Sequence, residues 1–526
     1  MAYLDSLGKT ARGHPAADPP PSREIDGPRP GPMGAPTLSP IKVSESEPIL
    51  LESYGDVRVY KVPGDALYYY EVPSPHYKGD EKVLINSLIE IATKVITFDK
   101  PFSTTAEKRN AYFRQVMEII LNTPELRVPP NAKDFYANAV VQEMVGFGLI
   151  DTLLFDDRLE EVMVIGPGRP VFVFHRKYEM MRTNIVFYDD KDIRNLVDRI
   201  GRDVGRRIDF ASPLLDARLA DGTRVNTTIA PASIDGTTLT VRKFRHDPFT
   251  IVDLLNFNTL SPEIAAFLWL ATDGAGAKPA NILIAGGTAS GKTSTLNMMA
   301  SFVPGHERVI SVEDTAELKI PLQHWIRMET RPPGVEQTGE LDMNTLLKNV
   351  LRMRPDRIIV GEIRGEEGYT LFSAMNTGHS GAFGTVHSNS ARETLIRLVN
   401  PPINVPAVMV SSLNLIVMQQ RINDRRRGLI RRITEVAEVI PREQGIPDVQ
   451  VLYQWDAATD TFVNNNAASV YLQSLSHFTG LSIESLKEEL KTRQAVLEDL
   501  TARGVRGLEN VCNITQSYIL KQQGKI

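Results

Sequence analysis

The sequence predicts an α/β protein built around a phosphate-binding loop. Residues 281–285 form an apolar strand pattern, residues 286–291 are rich in glycine, and a helical pattern starts near Lys292. Between Pro262 and Met418, strand patterns alternate with helical patterns. Such alternation is typical of a parallel sheet that is covered by helices. The loop and the alternation together define the predicted fold class.

The loop matches the pattern G-x-x-x-x-G-K-[ST] through Gly286, Gly291, Lys292 and Thr293. Glycines let successive backbone N–H groups turn toward a phosphate, and the following helix presents its positive end. We expect Lys292 to reach the β- and γ-phosphates of ATP and the Thr293 hydroxyl to ligate Mg²⁺. A chance match is disfavoured by the strand before the loop and the helix after it. The predicted nucleotide-binding residues are Gly286, Gly287, Thr288, Ala289, Ser290, Gly291, Lys292, Thr293 and Ser294.

The composition is that of an ordinary globular chain. Its 526 residues, with 42% hydrophobic and 23% charged residues, allow two or three domains. The net charge of −5 gives no general reason to expect nucleic-acid binding, since such proteins usually carry a basic excess. Cys512 is the one cysteine, which excludes a disulfide framework and a four-cysteine zinc site and fits a reducing cytosol. The sequence shows no apolar run of membrane-spanning length, so we expect any membrane role to depend on partners.

The N-terminal half is predicted to contain a tail, a domain and a linker. Residues 1–40 are rich in proline and glycine, which predicts a disordered segment. A passive tail is the simpler interpretation, and recruitment of a partner is the alternative. Residues 41–245 are predicted to form a mixed α/β domain, and residues 246–258 a linker. The expected elements are short strands within 57–72, helices within 84–149, a hairpin at 161–175, a helix near 193–200, and strands at 223–229 and 237–244.

Residues 259–440 are predicted to form the nucleotide-binding core, and residues 441–526 an accessory C-terminal element. Parallel sheets bind ligands at the carboxyl ends of their strands. The residues that directly follow the predicted strands are therefore candidate site residues. These strands are expected at 281–285, 308–312, 325–328, 357–360, 381–386 and 413–418.

Acidic residues follow two of these strands. Glu313 and Asp314 end one strand, where a carboxylate can act as a base toward water. For an isolated acidic pair, a solvated turn is the simpler interpretation. Glu362 ends another strand and follows Gly361, which stands where many nucleotide hydrolases carry an Mg²⁺-binding aspartate. Glu362 would then have to serve the metal and its waters.

Two histidines, His379 and His387, lie eight residues apart. A lone histidine is usually structural, and zinc binding is disfavoured because no cysteine or further histidine lies nearby. Both histidines follow small or apolar stretches that lead to strand ends. A role facing the phosphates is therefore the functional interpretation.

Taken together, residues from about 135 to 440 resemble the secretion and pilus-assembly ATPases of type II and type IV systems. All four motifs of that family are present, in order, at residues 286–293, 310–317, 351–364 and 377–387. Other segments are similar to the tight-adherence and archaeal branches (329–333, 353–357 and 374–379) and to the archaeal archaellum motor ATPase in particular (166–171 and 425–435). Two departures are Gly365, where many members carry aspartate, and the absence of the four-cysteine insertion of the type II branch.

The resemblance implies a RecA-like P-loop core, joined by a short linker to the mixed α/β domain, that hydrolyses ATP with Mg²⁺. It makes Glu313 the expected catalytic base and Glu362, with Thr293, the expected metal-binding pair. It places His379 and His387 near the γ-phosphate. It also implies hexameric rings in which N-terminal arginines reach the nucleotide, with solvated strand ends as the alternative for each. The candidate arginines are Arg242 first, then Arg224, and also Arg218.

The function implied by the resemblance is that of a homohexameric motor for assembly, and rotation, of an archaellum-like filament. Type IV pilus assembly and type II/IV secretion are the near alternatives. Expected partners are a polytopic membrane platform protein and other cytoplasmic motor components, with a cytoplasmic location at the inner membrane face and stimulation by anionic lipid. A nucleic-acid motor is the remote alternative, because the basic run from Arg421 to Arg432 is short. No nucleic-acid partner is expected, and a scaffold without hydrolysis would require a broken site.

Overall fold

The computed structural model describes residues 47–72, 79–98, 105–219, 221–244, 247–331, 333, 338–443 and 445–522. The predicted tail at residues 1–40 lies outside this part of the chain. Two nine-stranded sheets organise the described residues, and we call them sheet 1 and sheet 2. Sheet 1 precedes residue 245 and sheet 2 follows residue 280, in agreement with the predicted order of a mixed domain and a nucleotide-binding core.

Sheet 1 is mixed. Its strand order is β1-β2-β3-β6-β5-β4-β9-β8-β7, and every neighbouring pair is antiparallel except β3 and β6. The predicted hairpin is confirmed, because β4 and β5 pair antiparallel. The strands are β1 (Ile49–Tyr54), β2 (Val57–Lys61), β3 (Tyr68–Glu71), β4 (Leu159–Val164), β5 (Pro170–His175), β6 (Glu179–Val186), β7 (Leu214–Arg218), β8 (Arg224–Thr228) and β9 (Thr238–Arg242).

Helices accompany sheet 1 in two groups. The first three helices form their own apolar cluster around Leu88, Val116 and Val140, which are buried. The fifth helix packs its apolar side on sheet 1 through Ile193 and Val197, as its periodicity predicts. The helices are α1 (Gly79–Val95), α2 (Thr105–Asn122), α3 (Lys133–Met144), α4 (Asp151–Phe155) and α5 (Asp190–Asp203), with 3-10 turns at Pro124–Leu126, Pro130–Ala132 and Gly148–Ile150.

Sheet 2 has a parallel part and an antiparallel part. Its order is β12-β11-β13-β14-β10-β15-β16-β17-β18, parallel from β12 to β15 and antiparallel from β15 onward. The strands are β10 (Ile282–Ala285), β11 (Val309–Glu313), β12 (Trp325–Glu329), β13 (Arg357–Ile363), β14 (Phe383–Val386), β15 (Leu415–Asp424), β16 (Gly428–Ile440), β17 (Asp448–Asp456) and β18 (Thr461–Asn464). The predicted α/β fold class, with a RecA-like P-loop core, is confirmed.

Both faces of sheet 2 are covered by helices. Ile282 and Ile284 of β10 face one apolar cluster, whereas Leu283 and Ala285 face the other. This alternation explains why the strand reads as a continuous apolar run in the sequence. The covering helices are α6 (Ile251–Asn256), α7 (Pro262–Asp273), α8 (Lys292–Ala300), α9 (Met343–Val350), α10 (Glu367–Asn376), α11 (Ala391–Val399), α12 (Ala407–Val410), α13 (Val470–Thr479), α14 (Ile483–Ala502) and α15 (Leu508–Gln522), with a 3-10 turn at Gly274–Gly276.

Two predicted segments have more structure than the sequence patterns indicated. Six residues of the predicted linker 246–258 form α6, which begins with a capping box between Thr250 and Asp253. The predicted boundary at residue 440 falls inside sheet 2, because β17 pairs with β16. The C-terminal helices also belong to the core of sheet 2, where Arg493 of α14 forms a buried ion pair with Asp273 of α7. The other predicted domain boundaries stay predictions.

Among the described helices, no single one is long and apolar enough to cross a bilayer. One pair, residues 130–144 and residues 148–155, is long and apolar enough when taken together, but the two helices are bent by 106° relative to each other.

Candidate active site

The parallel strands bring most of the predicted site residues to one edge of sheet 2. Strands β10, β11, β13 and β14 run in the same direction, so their carboxyl ends meet at this edge. The glycine-rich loop, residues 286–291, follows β10. Glu313 ends β11, Glu362 lies near the end of β13, and His387 follows β14. We call this edge the catalytic edge.

Two glycines shape the loop. A Cβ atom on Gly286 would lie 2.0 Å from the backbone oxygen of Gln419, so only glycine fits beside this strand. Gly291 has a φ of +99°, a conformation that favours glycine, and it directly precedes α8. The loop therefore stays close to β15 and then turns sharply into the helix.

The rest of the loop presents backbone to solvent. Gly287, Thr288 and Ala289 are exposed, whereas Ser290 is buried. The Ser290 hydroxyl has no hydrogen-bond partner among the described residues. An unpaired buried hydroxyl costs free energy unless a ligand atom satisfies it. Thr293 and Ser294 are half-buried in the first turn of α8, at the positive end of the helix.

Lys292 lies inside this loop. Its side chain is buried, and its ammonium group donates to the carbonyl oxygens of Gly286 and Gly287, at 2.9 Å each. Nζ is also 3.5 Å from Nδ1 of His387. Burial lowers the pKa of Lys292. The ammonium group is therefore already held at the loop. A bound phosphate could take the place of the two carbonyl oxygens as its hydrogen-bond acceptor.

An open cleft of about 450 Å³ borders the exposed part of the loop. Its walls come from the loop, the segment after β14, the β15–β16 hairpin and the first residue of β6. The lining residues are Glu179, Gly287, Thr288, Ser388, Asn389, Gln420, Arg421, Asn423 and Leu429. A cleft of about 550 Å³ lies elsewhere, between residues 319–321 and the start of α15. The first cleft is the one that reaches the loop.

Glu313 is almost completely buried, at 2% exposure. Its Oε1 atom accepts hydrogen bonds from the backbone N–H groups of Glu317 and Leu318, at 2.9 and 3.0 Å. Its Oε2 atom has no partner within the described part of the chain. Burial raises the pKa of Glu313 to about 7. A carboxyl group with a pKa near the operating pH and one unpaired oxygen suits a general base.

Gly361 packs directly against this carboxyl group. A Cβ atom at position 361 would lie 3.1 Å from Cγ of Glu313, a tight contact that the Glu313 side chain could relieve only by shifting. The pairing of β13 with β14 also shifts register between Val360 and Ile363, so a bulge lies at this position. The glycine that the sequence shows in place of an aspartate therefore leaves room for Glu313 in its present position.

Glu362 is held between two cationic or titratable groups. Its Oε2 atom accepts a hydrogen bond from Arg364 at 2.5 Å, and its Oε1 atom lies 3.0 Å from Nε2 of His387. Arg364 also forms an ion pair with Asp314 at 3.1 Å. Burial, and then the nearby Lys292, lower the pKa of His387. His387 thus lies between Lys292 and Glu362, although Oε1 of Glu362 has no hydrogen-bond partner among the described residues.

His379 does not join this group within the chain. It lies between the end of α10 and the start of β14, beside Ser380, whose hydroxyl receives a hydrogen bond from Lys278. Lys278 precedes β10, so this loop lies at the opposite edge of sheet 2. Within the chain, the structure therefore does not bring His379 to the catalytic edge, and its place near the γ-phosphate stays a prediction. The physical reason is strand direction: β14 separates the two histidines and carries only His387 to the catalytic edge.

The three candidate arginines lie in sheet 1, and two of them contact sheet 2. Arg218 of β7 donates to Glu329 at 2.6 Å, and Arg224 of β8 forms an ion pair with Glu317 at 2.9 Å. Arg242 of β9 is more exposed and lies 3.9 Å from Glu161 of β4, in its own sheet. Arg224 thus contacts the segment after Glu313, and Arg218 contacts the end of the neighbouring strand β12. Arg242 has its ion-pair partner within sheet 1.

Three residues at the catalytic edge were not predicted as site residues. Arg364 joins Glu362 to Asp314, as described above. Arg431 of β16 donates to the carbonyl oxygen of Ala289 at 3.0 Å, and burial lowers its pKa. Gln419 is buried and accepts a hydrogen bond from Thr295 of α8 at 2.7 Å. Gln419 directly follows a predicted strand, so the rule of strand ends could have identified it.

The residues at the catalytic edge include candidate partners for the phosphates of ATP and, separately, candidate ligands for Mg²⁺. The loop offers an ATP phosphate the unpaired buried hydroxyl of Ser290 and the ammonium group of Lys292. No group of three or more His, Cys, Asp or Glu side chains in the described ranges is arranged to hold a metal ion by itself. Mg²⁺ keeps several waters and usually binds with one or two protein ligands plus substrate phosphates, so Thr293 and Glu362 stay the predicted ligands.

A comparison with protein families matches residues 143–455 to the family described as type II/IV secretion system protein. The match includes part of sheet 1 and most of sheet 2. It spans the glycine-rich loop, both acidic segments and both histidines.

Individual proteins are also similar to this chain, each over a different share of its length. The uncharacterized protein MJ0781 of Methanocaldococcus jannaschii is 33% identical, over 70% of this chain and 75% of its own length. The type IV secretion system protein PtlH of Bordetella pertussis is 27% identical, over 55% of this chain and 86% of its own. Among solved structures, the VirB11 ATPase of the Brucella suis type IV secretion system is 25% identical over 54% of this chain and 90% of its own, with a TM-score of 0.28.

Proposed function

The chain belongs to the type II/IV secretion system protein family, and from that premise we propose that it is an ATP-hydrolysing motor of a filament or secretion machine. The observation that carries this proposal is the geometry at the catalytic edge. Lys292, His387 and Glu362 form a chain of contacts that starts at the glycine-rich loop, and Glu313 packs against Gly361, the residue before Glu362. Charged groups gathered at a glycine-rich loop are what phosphoryl transfer requires.

The proposed reaction is in-line attack of water on the γ-phosphate of ATP, which breaks the bond from the γ-phosphorus to the β–γ bridging oxygen and releases ADP and phosphate. Lys292 binds the phosphates, because its ammonium group lies within the loop. Glu313 takes the proton of the attacking water, since its unpaired oxygen and raised pKa suit a general base. His387 lies 3.5 Å from the Lys292 ammonium group and 3.0 Å from Glu362, and burial lowers its pKa, which favours the neutral imidazole. When bound at Thr293 and Glu362, Mg²⁺ supplies charge neutralisation at the phosphate oxygens.

In this proposal the chain forms a homohexamer at the cytoplasmic face of a membrane, and the hexamer drives assembly of an archaellum-like filament. The similarity of MJ0781, from an archaeon, supports the archaeal branch. The name of PtlH, a type IV secretion system protein, supports the near alternative of a secretion ATPase, and type IV pilus assembly stays the other near alternative. Proposed partners are a polytopic membrane platform protein and other cytoplasmic motor components. Turnover stimulated by anionic lipid is part of the same proposal.

The test is phosphate release by the purified full chain, with and without EDTA, with sedimentation velocity on the same sample. We expect Mg²⁺-dependent ATP hydrolysis by a hexamer, and no hydrolysis by the Lys292→Ala variant. Anionic phospholipid vesicles and single-stranded DNA are then added in parallel. Stimulation by vesicles and not by DNA supports the membrane-machine proposal, whereas stimulation by DNA alone supports a nucleic-acid motor. A chain that binds ATP without releasing phosphate overturns the hydrolysis proposal.

A further inference from the structure

The segment that follows Glu313, residues 314–319, is held from both sides. On the side of sheet 2, the backbone N–H of Lys319 donates to Asn297 of α8 at 2.7 Å. On the side of sheet 1, Arg224 contacts the Glu317 carboxylate at 2.9 Å and the carbonyl oxygen of Thr315 at 3.3 Å. We call residues 314–319 the base-supporting segment. It lies between the helix that follows the phosphate loop and the edge of sheet 1.

Two further contacts join the same regions. The Lys319 ammonium group lies 4.9 Å from the centre of the Phe244 ring, which follows β9. Arg218 donates to Glu329, and Glu329 pairs with Glu313 in the register of β12 and β11. Each contact thus joins a residue of sheet 1 to the immediate surroundings of Glu313.

The base-supporting segment is what orients Glu313. One carboxylate oxygen of Glu313 accepts the N–H groups of Glu317 and Leu318, and the other oxygen has no partner among the described residues. The direction of the unpaired oxygen therefore depends on where those two backbone groups lie. Arg224 holds the side chain of Glu317, whose backbone supplies one of them.

We propose that Arg224 is a positioning residue for Glu313, which acts through Glu317 and makes the placement of the catalytic base depend on sheet 1. This inference rests on the proposed ATP hydrolysis for its effect on turnover. It assigns Arg224 a role different from direct contact with the nucleotide. When sheet 1 moves away from sheet 2, Glu317 loses its partner and the base loses its fixed orientation. Hydrolysis is then tied to the closed arrangement of the two sheets.

The geometry distinguishes this role from a charge-stabilising arginine. If Arg224 acts through Glu317, removal of either side chain should have the same effect, and removal of both should add little. If Arg224 contacts the nucleotide, Glu317→Ala should not reproduce Arg224→Ala, and the two losses should add. Glu317→Ala is informative because it deletes the carboxylate and keeps the backbone N–H that serves Glu313.

The experiment compares Arg224→Ala, Glu317→Ala, the double variant and Arg224→Lys, all in the full chain. The matched control is Arg207→Ala, which removes an exposed arginine–carboxylate pair of the same half of the chain, Arg207 with Asp209 at 3.0 Å. For each protein, kcat and KM for ATP are measured together with amide hydrogen exchange of peptides that cover residues 314–319. Melting temperatures establish that every variant is folded.

We expect kcat to fall about tenfold in both single variants, which corresponds to about 1.4 kcal/mol, with KM changed less than threefold. The double variant should match the single ones, and Arg224→Lys should recover most of the activity. Exchange at residues 314–319 should become about tenfold faster in Arg224→Ala and stay unchanged in Arg207→Ala.

The two readouts separate this inference from the proposed function. If the parent chain hydrolyses no ATP but Arg224→Ala shows faster exchange at residues 314–319, the hydrolysis proposal is overturned and the positioning role of Arg224 is retained. Normal exchange, or losses that add in the double variant, overturn the positioning role even when the parent chain hydrolyses ATP.

Discussion

Replacement of Glu313 by glutamine should have opposite effects on turnover and on stability. The glutamine carbonyl oxygen can still accept the N–H groups of Glu317 and Leu318, which Oε1 of Glu313 accepts. The variant can no longer take a proton from water, so ATP binding should remain while hydrolysis is lost. In the parent chain, turnover should rise with pH through about 7, because the base must be ionised.

The effect on stability follows from the direction of the pKa change. Burial raises the pKa of Glu313 from its ordinary 4.5 to about 7, so the folded chain binds this proton more tightly than the unfolded chain does. The stability contributed by the protonated form is present below pH 4.5 and is lost as pH rises through about 7. The loss between pH 5 and pH 8 amounts to about 2–3 kcal/mol. Glutamine carries no proton to lose, so the variant should gain that amount relative to the parent at pH 8.

Urea unfolding monitored by tryptophan fluorescence measures this difference. The three tryptophans, Trp269, Trp325 and Trp455, all belong to elements of sheet 2 and its helices, so the signal reports on the region that contains Glu313. Glu488→Gln is the control, because it neutralises an exposed carboxylate on α14. Its difference from the parent should be similar at pH 5 and pH 8. An equal difference for Glu313→Gln at both pH values would refute the raised pKa, and parent-like turnover would place the base elsewhere.

Other substitutions test the loop and its neighbours. Lys292→Ala should abolish hydrolysis and weaken ATP binding by at least tenfold, measured with a fluorescent nucleotide, because the loop loses its ammonium group. Gly361→Ala should destabilise the chain by about 1–3 kcal/mol and lower kcat more than it raises KM, since the added methyl group displaces Glu313; an unchanged kcat would contradict that packing. Gly286→Ala should remove ATP binding, because the new Cβ atom collides with the Gln419 carbonyl oxygen, and retained binding would show that the loop can relax.

The position of the loop and of the acids on the chain could be predicted from the sequence. The glycines and Lys292 have a fixed spacing, because a phosphate cradle between a strand and a helix needs them there. Glu313 and Glu362 could be identified because each ends an apolar strand, and the carboxyl ends of parallel strands share an edge. These are local rules, in which spacing along the chain determines position in space.

The histidines show where local rules fail. His379 and His387 belong to one motif in the sequence and flank one strand. That strand separates them, and only His387 reaches the catalytic edge. Which end of β14 lies beside the phosphate loop depends on the direction of β14 relative to β10, and this direction is a property of the assembled sheet.

Long-range contacts also decided the roles of the arginines. Arg218, Arg224 and Arg242 lie on adjacent strands, and the sequence ranked Arg242 first among them. Only the packing of sheet 1 against sheet 2 shows that Arg224 reaches Glu317 while Arg242 stays with Glu161. The pKa of Glu313 and the tight packing of Gly361 against it likewise depend on strands that are distant in sequence. The sequence by itself therefore determined the fold class and the phosphate loop, because both follow from local spacing, whereas the electrostatic environment and partners of each catalytic group required the tertiary structure.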